Sequence, residues 1–188
     1  MFWRCLKWAL VPLAVAVLTA CVGDDESPYA RRPAFFRFSP VTSAPHTLLP
    51  ALGNPGEWCT VTIKGSVYDF RSVTTGKVDN PPLTALDNYG SPTWCGGLII
   101  GTPLLPDMDG RFLPVAYDIV CPNCFEEGGI TRALGVEANG TATARCSRCG
   151  TRYDLDNGGL VVDTDPAAAL RLFRYRCFYD NNVFVVQN

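Results

Sequence analysis

Histidine is almost missing from this chain: His46 is the only one among 188 residues. It stands in a Pro/Thr-rich stretch, which leaves no credible Ser/His/Asp triad and makes an exposed, inert imidazole the expectation. Clustered lysine and arginine are also scarce. With 16 basic against 18 acidic residues and a net charge of −2, the chain lacks the basic patch that nucleic-acid binding requires. No apolar run reaches the roughly 20 residues of a spanning helix. Long amphipathic helical patterns and repeats of solenoid length are lacking too. The glycine pairs Gly96-Gly97 and Gly128-Gly129 open no helical pattern, so they are not phosphate loops. The loop holding Asp107, Asp109 and Gly110 has neither the ligand spacing nor the terminal glutamate of an EF-hand.

The N-terminus carries a targeting pattern. Arg4 and Lys7 form a positive region, Trp8 to Leu18 a short apolar one, and Leu18-Thr19-Ala20-Cys21 follows. This tetrapeptide resembles the lipobox read by lipoprotein signal peptidase. The resemblance implies that residues 1–20 are a signal peptide and that Cys21 is the diacylated first residue of the mature protein. Without Arg4 and Lys7 the mature chain would hold 14 basic and 18 acidic residues, a net of −4. Asp24-Asp25-Glu26 comes next. It resembles the surface-export signal of Bacteroidetes-type lipoproteins, and it equally suits a plain solvated tether over residues 21–34. The implied location is the bacterial cell envelope, at the outer membrane, with the cell surface as an extension of that reading. The implied partner is the membrane, through Cys21.

Residues 35–188 suit one domain. Short β-rich runs between Gly, Pro and Asn predict an all-β sandwich or barrel. Strands are expected over 58–63, 65–71, 94–100, 112–118, 131–138, 141–145, 159–163, 170–179 and 183–186. Pro114 marks an edge or a bulge. Asn139-Gly140 and Asp180-Asn181-Asn182 are hairpin turns. Asp165 to Ala169 has room for one helical turn. Phe173, Tyr175, Phe178, Tyr179 and Phe184 alternate at strand spacing and are expected in the core. Glu126 and Glu127 are expected at a solvated loop tip.

Nine cysteines are present. Apart from Cys5 and Cys21, four form Cys121-Pro122-Asn123-Cys124 and Cys146-Ser147-Arg148-Cys149, two C-x-x-C pairs with 21 residues between them. That separation suits a four-cysteine zinc site. Each C-x-x-C turn can point two sulfurs at one ion, and Gly150 suits the tight turn after the second. Arg132, Arg145, Arg148 and Arg152 surround the pairs and would offset the charge of four thiolates on one divalent ion. In an oxidising compartment the same thiols could instead form disulfides, within or across the loops. An iron–sulfur or mononuclear iron centre is the third possibility. Cys59 and Cys95 each follow a Trp in an expected strand. They are candidates for a disulfide, or else for buried apolar groups. Cys177 is expected buried and unpaired.

From about Trp94 to Asn188 the chain resembles the Rieske domain. Tyr117 to Asn123 stands where that family has its Cys-Pro-His box. Cys146-Ser147-Arg148-Cys149-Gly150-Thr151-Arg152-Tyr153-Asp154-Leu155 resembles the second, Cys-x-x-His-Gly box. The resemblance implies a β fold with metal-site loops over about 117–158, and these loops also resemble rubredoxin and zinc-ribbon knuckles. Cys121 and Cys146 fall on the family's cysteine ligands. Asn123 falls where its first histidine belongs, Cys149 replaces the second, and Cys124 stands one place after the first. A high-potential centre needs two histidines on one iron, which these boxes do not supply. The expectation is therefore a non-catalytic binding or accessory protein of the envelope with a structural zinc. An electron carrier with a [2Fe–2S] or other iron–sulfur centre is the alternative. A protein partner in the envelope is expected without being identified. The resemblance has no counterpart for Phe35 to Asn88, and the sequence names no partner, substrate or pathway.

Overall fold

The computed structural model describes residues 27–85, 87, 92–139, 141–162 and 171–188. The expected signal peptide, Cys21, the acidic run 24–26, Gly140 and the turn at 165–169 lie outside them. The described chain is mostly β, with 39% strand and 12% helix. In chain order come β1 (Phe35–Phe38), a 3-10 turn (Val41–Ser43), helix α1 (Leu48–Gly53), β2 (Trp58–Lys64), β3 (Val67–Ser72), β4 (Val78–Asp79), β5 (Leu98–Gly101) and β6 (Val115–Asp118). Helix α2 (Pro122–Gly128) and strands β7 (Gly135–Asn139), β8 (Thr141–Arg145), β9 (Arg152–Asp154) and β10 (Leu160–Val161) follow, and β11 (Arg174–Asp180) and β12 (Val183–Gln187) close the chain.

Eight strands form one antiparallel sheet in the order β1-β12-β11-β6-β5-β2-β3-β4, curled into a half-barrel. The curl is visible in its aromatics. Phe36 and Phe38 on β1 meet Tyr68 and Phe70 on β3, although five strands lie between the two in the sheet. Phe38 and Phe70 lie 4.8 Å apart between ring centroids, and Phe36 and Tyr68 5.7 Å apart edge to face. Such pairs add about 0.5–1.5 kcal/mol each beyond their burial. Leu48, Ala51 and Leu52 of α1 pack into the same core.

The strands of the sheet centre are buried on both faces. Leu98 and Ile100 face the core just described, while Ile99 faces a second core with Trp58 and Tyr117. That is why Leu98-Ile99-Ile100 is continuously apolar rather than alternating. Gly101 stands opposite Trp58, and a Cβ at this glycine would fall 2.3 Å from the indole ring. Only a residue with hydrogen in place of a side chain leaves the indole its room.

The second core belongs to a smaller sheet, β10-β9-β8-β7. The chain leaves the large sheet after β6, builds α2 and the four small strands, and returns as β11 to pair with β6, Tyr117 opposite Arg174. The described residues between β6 and β11 thus form an excursion between two hydrogen-bonded neighbours, and all four C-x-x-C cysteines lie in it.

Several expectations need correction. The strand expected from Trp94 begins at Leu98, because the Asp118 carboxylate takes the Cys95 N–H at 2.8 Å and Gly97 turns with φ 137°. Cys95 therefore sits outside the sheet, whereas Cys59 is buried in the first core, and both are free thiols rather than a disulfide. Strand β6 starts directly after Pro114. The stretch 35–93 supplies β1 to β4 and α1, half the large sheet. Chain docking begins before Phe35: the Ala30 N–H donates to the Arg174 carbonyl at 2.8 Å, and Ala34 is buried. Glu126 lies on α2 and pairs with Arg32 rather than tipping a loop. Tyr175 and Phe184 are core residues, but Phe178 and Tyr179 are exposed. Asn181 and Asn182, with φ of 47° and 63°, make the two-residue turn between β11 and β12.

Candidate metal centre

Cys121 follows β6 by three residues and caps α2 with an extended backbone. Pro122 stands at the first helical position, where its missing N–H costs nothing. The Cys121 N–H donates to the Arg132 carbonyl at 3.1 Å, and a bridge between Val120 and Ala133 holds the loop flat. Cys124 comes from the first turn of α2 and points back beside Cys121. On the other side, Cys146 directly follows β8. Its N–H donates to the Thr151 carbonyl, and the Gly150 N–H returns to the Cys146 carbonyl, both at 3.0 Å. Gly150 has φ 79°, a conformation that favours glycine. The turn also directs the Arg148 N–H to the Cys146 sulfur at 3.4 Å.

Strand pairing of β8 with β7 and β9 carries this second knuckle to the first. The Sγ atoms of Cys121 and Cys149 lie 3.6 Å apart, and those of Cys124 and Cys146 3.8 Å apart. All four sulfurs lie within 4.8 Å of one another. A disulfide would need about 2.05 Å. A tetrahedron of sulfurs around an ion with Zn–S near 2.3 Å has edges of about 3.8 Å. Cys121, Cys124 and Cys146 are buried, while Cys149 is exposed.

The electrostatics call for a cation. Burial, reinforced by the neighbouring thiols, pushes Cys124 up to about 12 and Cys121 upward as well. Burial also raises Cys149, but hydrogen bonds from the Thr151 hydroxyl and backbone, together with the nearby thiols, bring it down to about 6. One thiol of the group releases its proton readily and others resist, because adjacent thiolates repel in a poorly solvated place. A positive ion at their centre removes that penalty, since metal binding displaces the protons. The donor set fits a soft or borderline ion.

Around the sulfurs, Tyr153 places its hydroxyl 3.6 Å from Cys121 Sγ, and Thr151 its hydroxyl 3.2 Å from Cys149 Sγ. Both are poised to donate to thiolate. Neither stands out as a site residue in the sequence, although Tyr153 is the inward member of Arg152-Tyr153-Asp154. Arg132 bonds Ser147 at 3.1 Å and ties the chain after α2 to the second knuckle. Arg145 and Arg148 line a shallow groove along Cys146 to Gly150. His46 takes no part in the centre. Its Nδ1 lies 3.0 Å from Asp79 Oδ1, with more than half of the side chain exposed. Asp107 and Asp109 are both engaged by Arg111. Cys177 is half-buried and its thiol donates to the Pro114 carbonyl at 3.1 Å. Asn123 lies on α2 between Cys121 and Cys124 and is not a member of the four-cysteine group.

Set beside known proteins, the chain matches no family model, no curated protein and no solved structure.

Proposed function

We propose that this chain is a lipid-anchored protein of the bacterial envelope, with a degenerate Rieske-like domain whose four cysteines hold a structural zinc ion. The observation that carries the zinc reading is the sulfur geometry: two contacts of 3.6 and 3.8 Å within a group no wider than 4.8 Å. One shell of sulfurs that size surrounds a single ion. A [2Fe–2S] centre divides its ligands between two irons and spreads them further apart. Four protein ligands leave no open coordination position, so the ion organises structure and does not act on a substrate. When bound it would cross-link α2 to the β8–β9 turn and hold the excursion between β6 and β11 together. The domain then serves as a binding or accessory unit, with the membrane as its attachment through Cys21.

The experiment is metal analysis of the purified full-length chain together with its visible spectrum. About one zinc per chain in a colourless protein is the expected result. A metal-free protein with all four thiols oxidised would overturn the zinc reading. The lipid anchor has its own check: the mass of the N-terminal peptide should show diacylglycerol on Cys21, and Cys21→Ser should lose it.

An electron carrier with mononuclear iron is the second reading, favoured by the exposure of Cys149, which would bring a metal-bound sulfur to the surface. A red protein with one iron per chain selects it.

A further inference from the structure

We propose that the groove face formed by the 104–113 loop and the Phe178–Tyr179 part of β11 is a membrane-contact surface, which lies against the bilayer that carries the anchor. This rests on the lipid-anchor reading of Cys21.

The face is apolar and uncovered. Leu105, Met108, Phe112, Leu113, Phe178 and Tyr179 all line one cavity of about 880 Å³. Met108 is fully exposed, Leu105 is 61% exposed and Phe178 56%. Soluble domains seldom keep such large apolar groups together in water without a use for them. The cavity is an open groove whose apolar walls are largely exposed, which suits entry into an interface better than capture of a small ligand.

The tether says which interface. Tyr29 is a wall of the same cavity. It stands eight positions after Cys21. Extended chain spans at most about 3.6 Å per residue, so Tyr29 stays within about 29 Å of the acylated residue. The bilayer is thus held at high effective concentration against this face, and modest apolar area suffices for contact.

Its rim has the chemistry of a lipid interface. The guanidinium groups of Arg174 and Arg176 lie 5.5 and 4.7 Å from the Tyr29 ring centroid. They stand beside the apolar side chains as headgroup-level cations and aromatics do. The carboxylates nearby are already engaged. Asp107 and Asp109 share Arg111, Asp156 accepts the N–H groups of Leu104 and Ala142, and Asp180 accepts from Asn181.

The test uses the full-length chain, processed in its host and reconstituted into phosphatidylethanolamine/phosphatidylglycerol vesicles. Met108→Trp puts a reporter at a fully exposed position that perturbs no packing, and Thr74→Trp puts one on the exposed turn between β3 and β4, outside the proposed face. Emission of the Met108→Trp variant, taken above that of the unsubstituted protein, should be blue-shifted and mostly quenched when the lipids carry bromine on their acyl chains. The reporter at Thr74 should be unaffected. Protein that floats with the vesicles but shows no quenching at the Met108 position overturns the inference and leaves the anchor standing. Protein that neither floats nor carries an acyl mass on Cys21 overturns both. A blue shift that depends on protein concentration and not on lipid assigns the face to a second copy and likewise overturns the inference.

Discussion

The Tyr153 hydroxyl stands 3.6 Å from the Cys121 sulfur, with both residues fully buried. A phenol in that position donates to thiolate and orients it. Burial and the adjoining thiol keep the phenol itself protonated. Tyr153→Phe should leave the fold and the metal stoichiometry intact while weakening metal affinity by about 10–100-fold, the usual effect of losing an outer-shell partner. Competition with a zinc chelator measures this, and an unchanged affinity would remove Tyr153 from the centre.

Cys124→Ser should abolish stoichiometric metal and lower Tm, and a strong chelator should lower the Tm of the unsubstituted protein by a similar amount. A ligand present at about a thousand times its Kd contributes about 4 kcal/mol to the folded state. The variant itself should not respond to the chelator. Thermal melts with and without metal decide the point.

Gly101→Ala should be among the most damaging single-methyl additions in the large sheet. The added carbon meets the Trp58 ring at 2.3 Å and the Glu57 carbonyl at 2.6 Å, and neither has room to retreat inside a packed core. A loss of about 1–3 kcal/mol or more is expected, read from urea unfolding.

Asp118 is fully buried and accepts from the Val120 N–H at 3.0 Å, the Cys95 N–H at 2.8 Å, the Tyr175 hydroxyl at 3.1 Å and the Gly96 N–H. Asp118→Asn points an amide NH2 at one of them. The expected cost is about 1–3 kcal/mol, and hydrogen exchange should rise at Cys95 and Val120.

The acid limb of stability should depend on Asp79. Partial burial raises its pKa, but the His46 side chain, the Thr47 hydroxyl and the His46 N–H together lower it below the ordinary carboxylate value. A carboxyl depressed in the folded state stabilises fully above its unfolded pKa of about 3.9 and stops doing so as pH falls through the folded pKa. Asp79→Asn should therefore reduce stability at about pH 6 and flatten its decline below about pH 4. Urea midpoints across that acid range measure the difference.

Much of the candidate site is legible because its geometry is local. A C-x-x-C turn places two sulfurs together whatever lies beyond it, so Cys121, Cys124, Cys146 and Cys149 can be named as a set from spacing alone. The hairpin at Asn181-Asn182 is legible for the same reason, since both residues tolerate positive φ. The two helices are not. α1 and α2 have six and seven residues, too few for a periodic apolar face to stand out.

What the sequence by itself determined is the β class, most strand positions and the two cysteine pairs, all of which depend on neighbours a few residues apart. Tertiary structure alone decided that β1 closes the sheet beside β12, since Phe35-Phe36-Arg37-Phe38 is a strand only when Val183–Gln187 arrives to pair with it. It also decided that Cys59 and Cys95 are free thiols, that Phe178 and Tyr179 are exposed, and that Cys149 is the exposed member of the four cysteines. Each of these depends on which surfaces the curled sheet and its excursion cover, and burial is a property of the assembled chain and not of any short stretch of it.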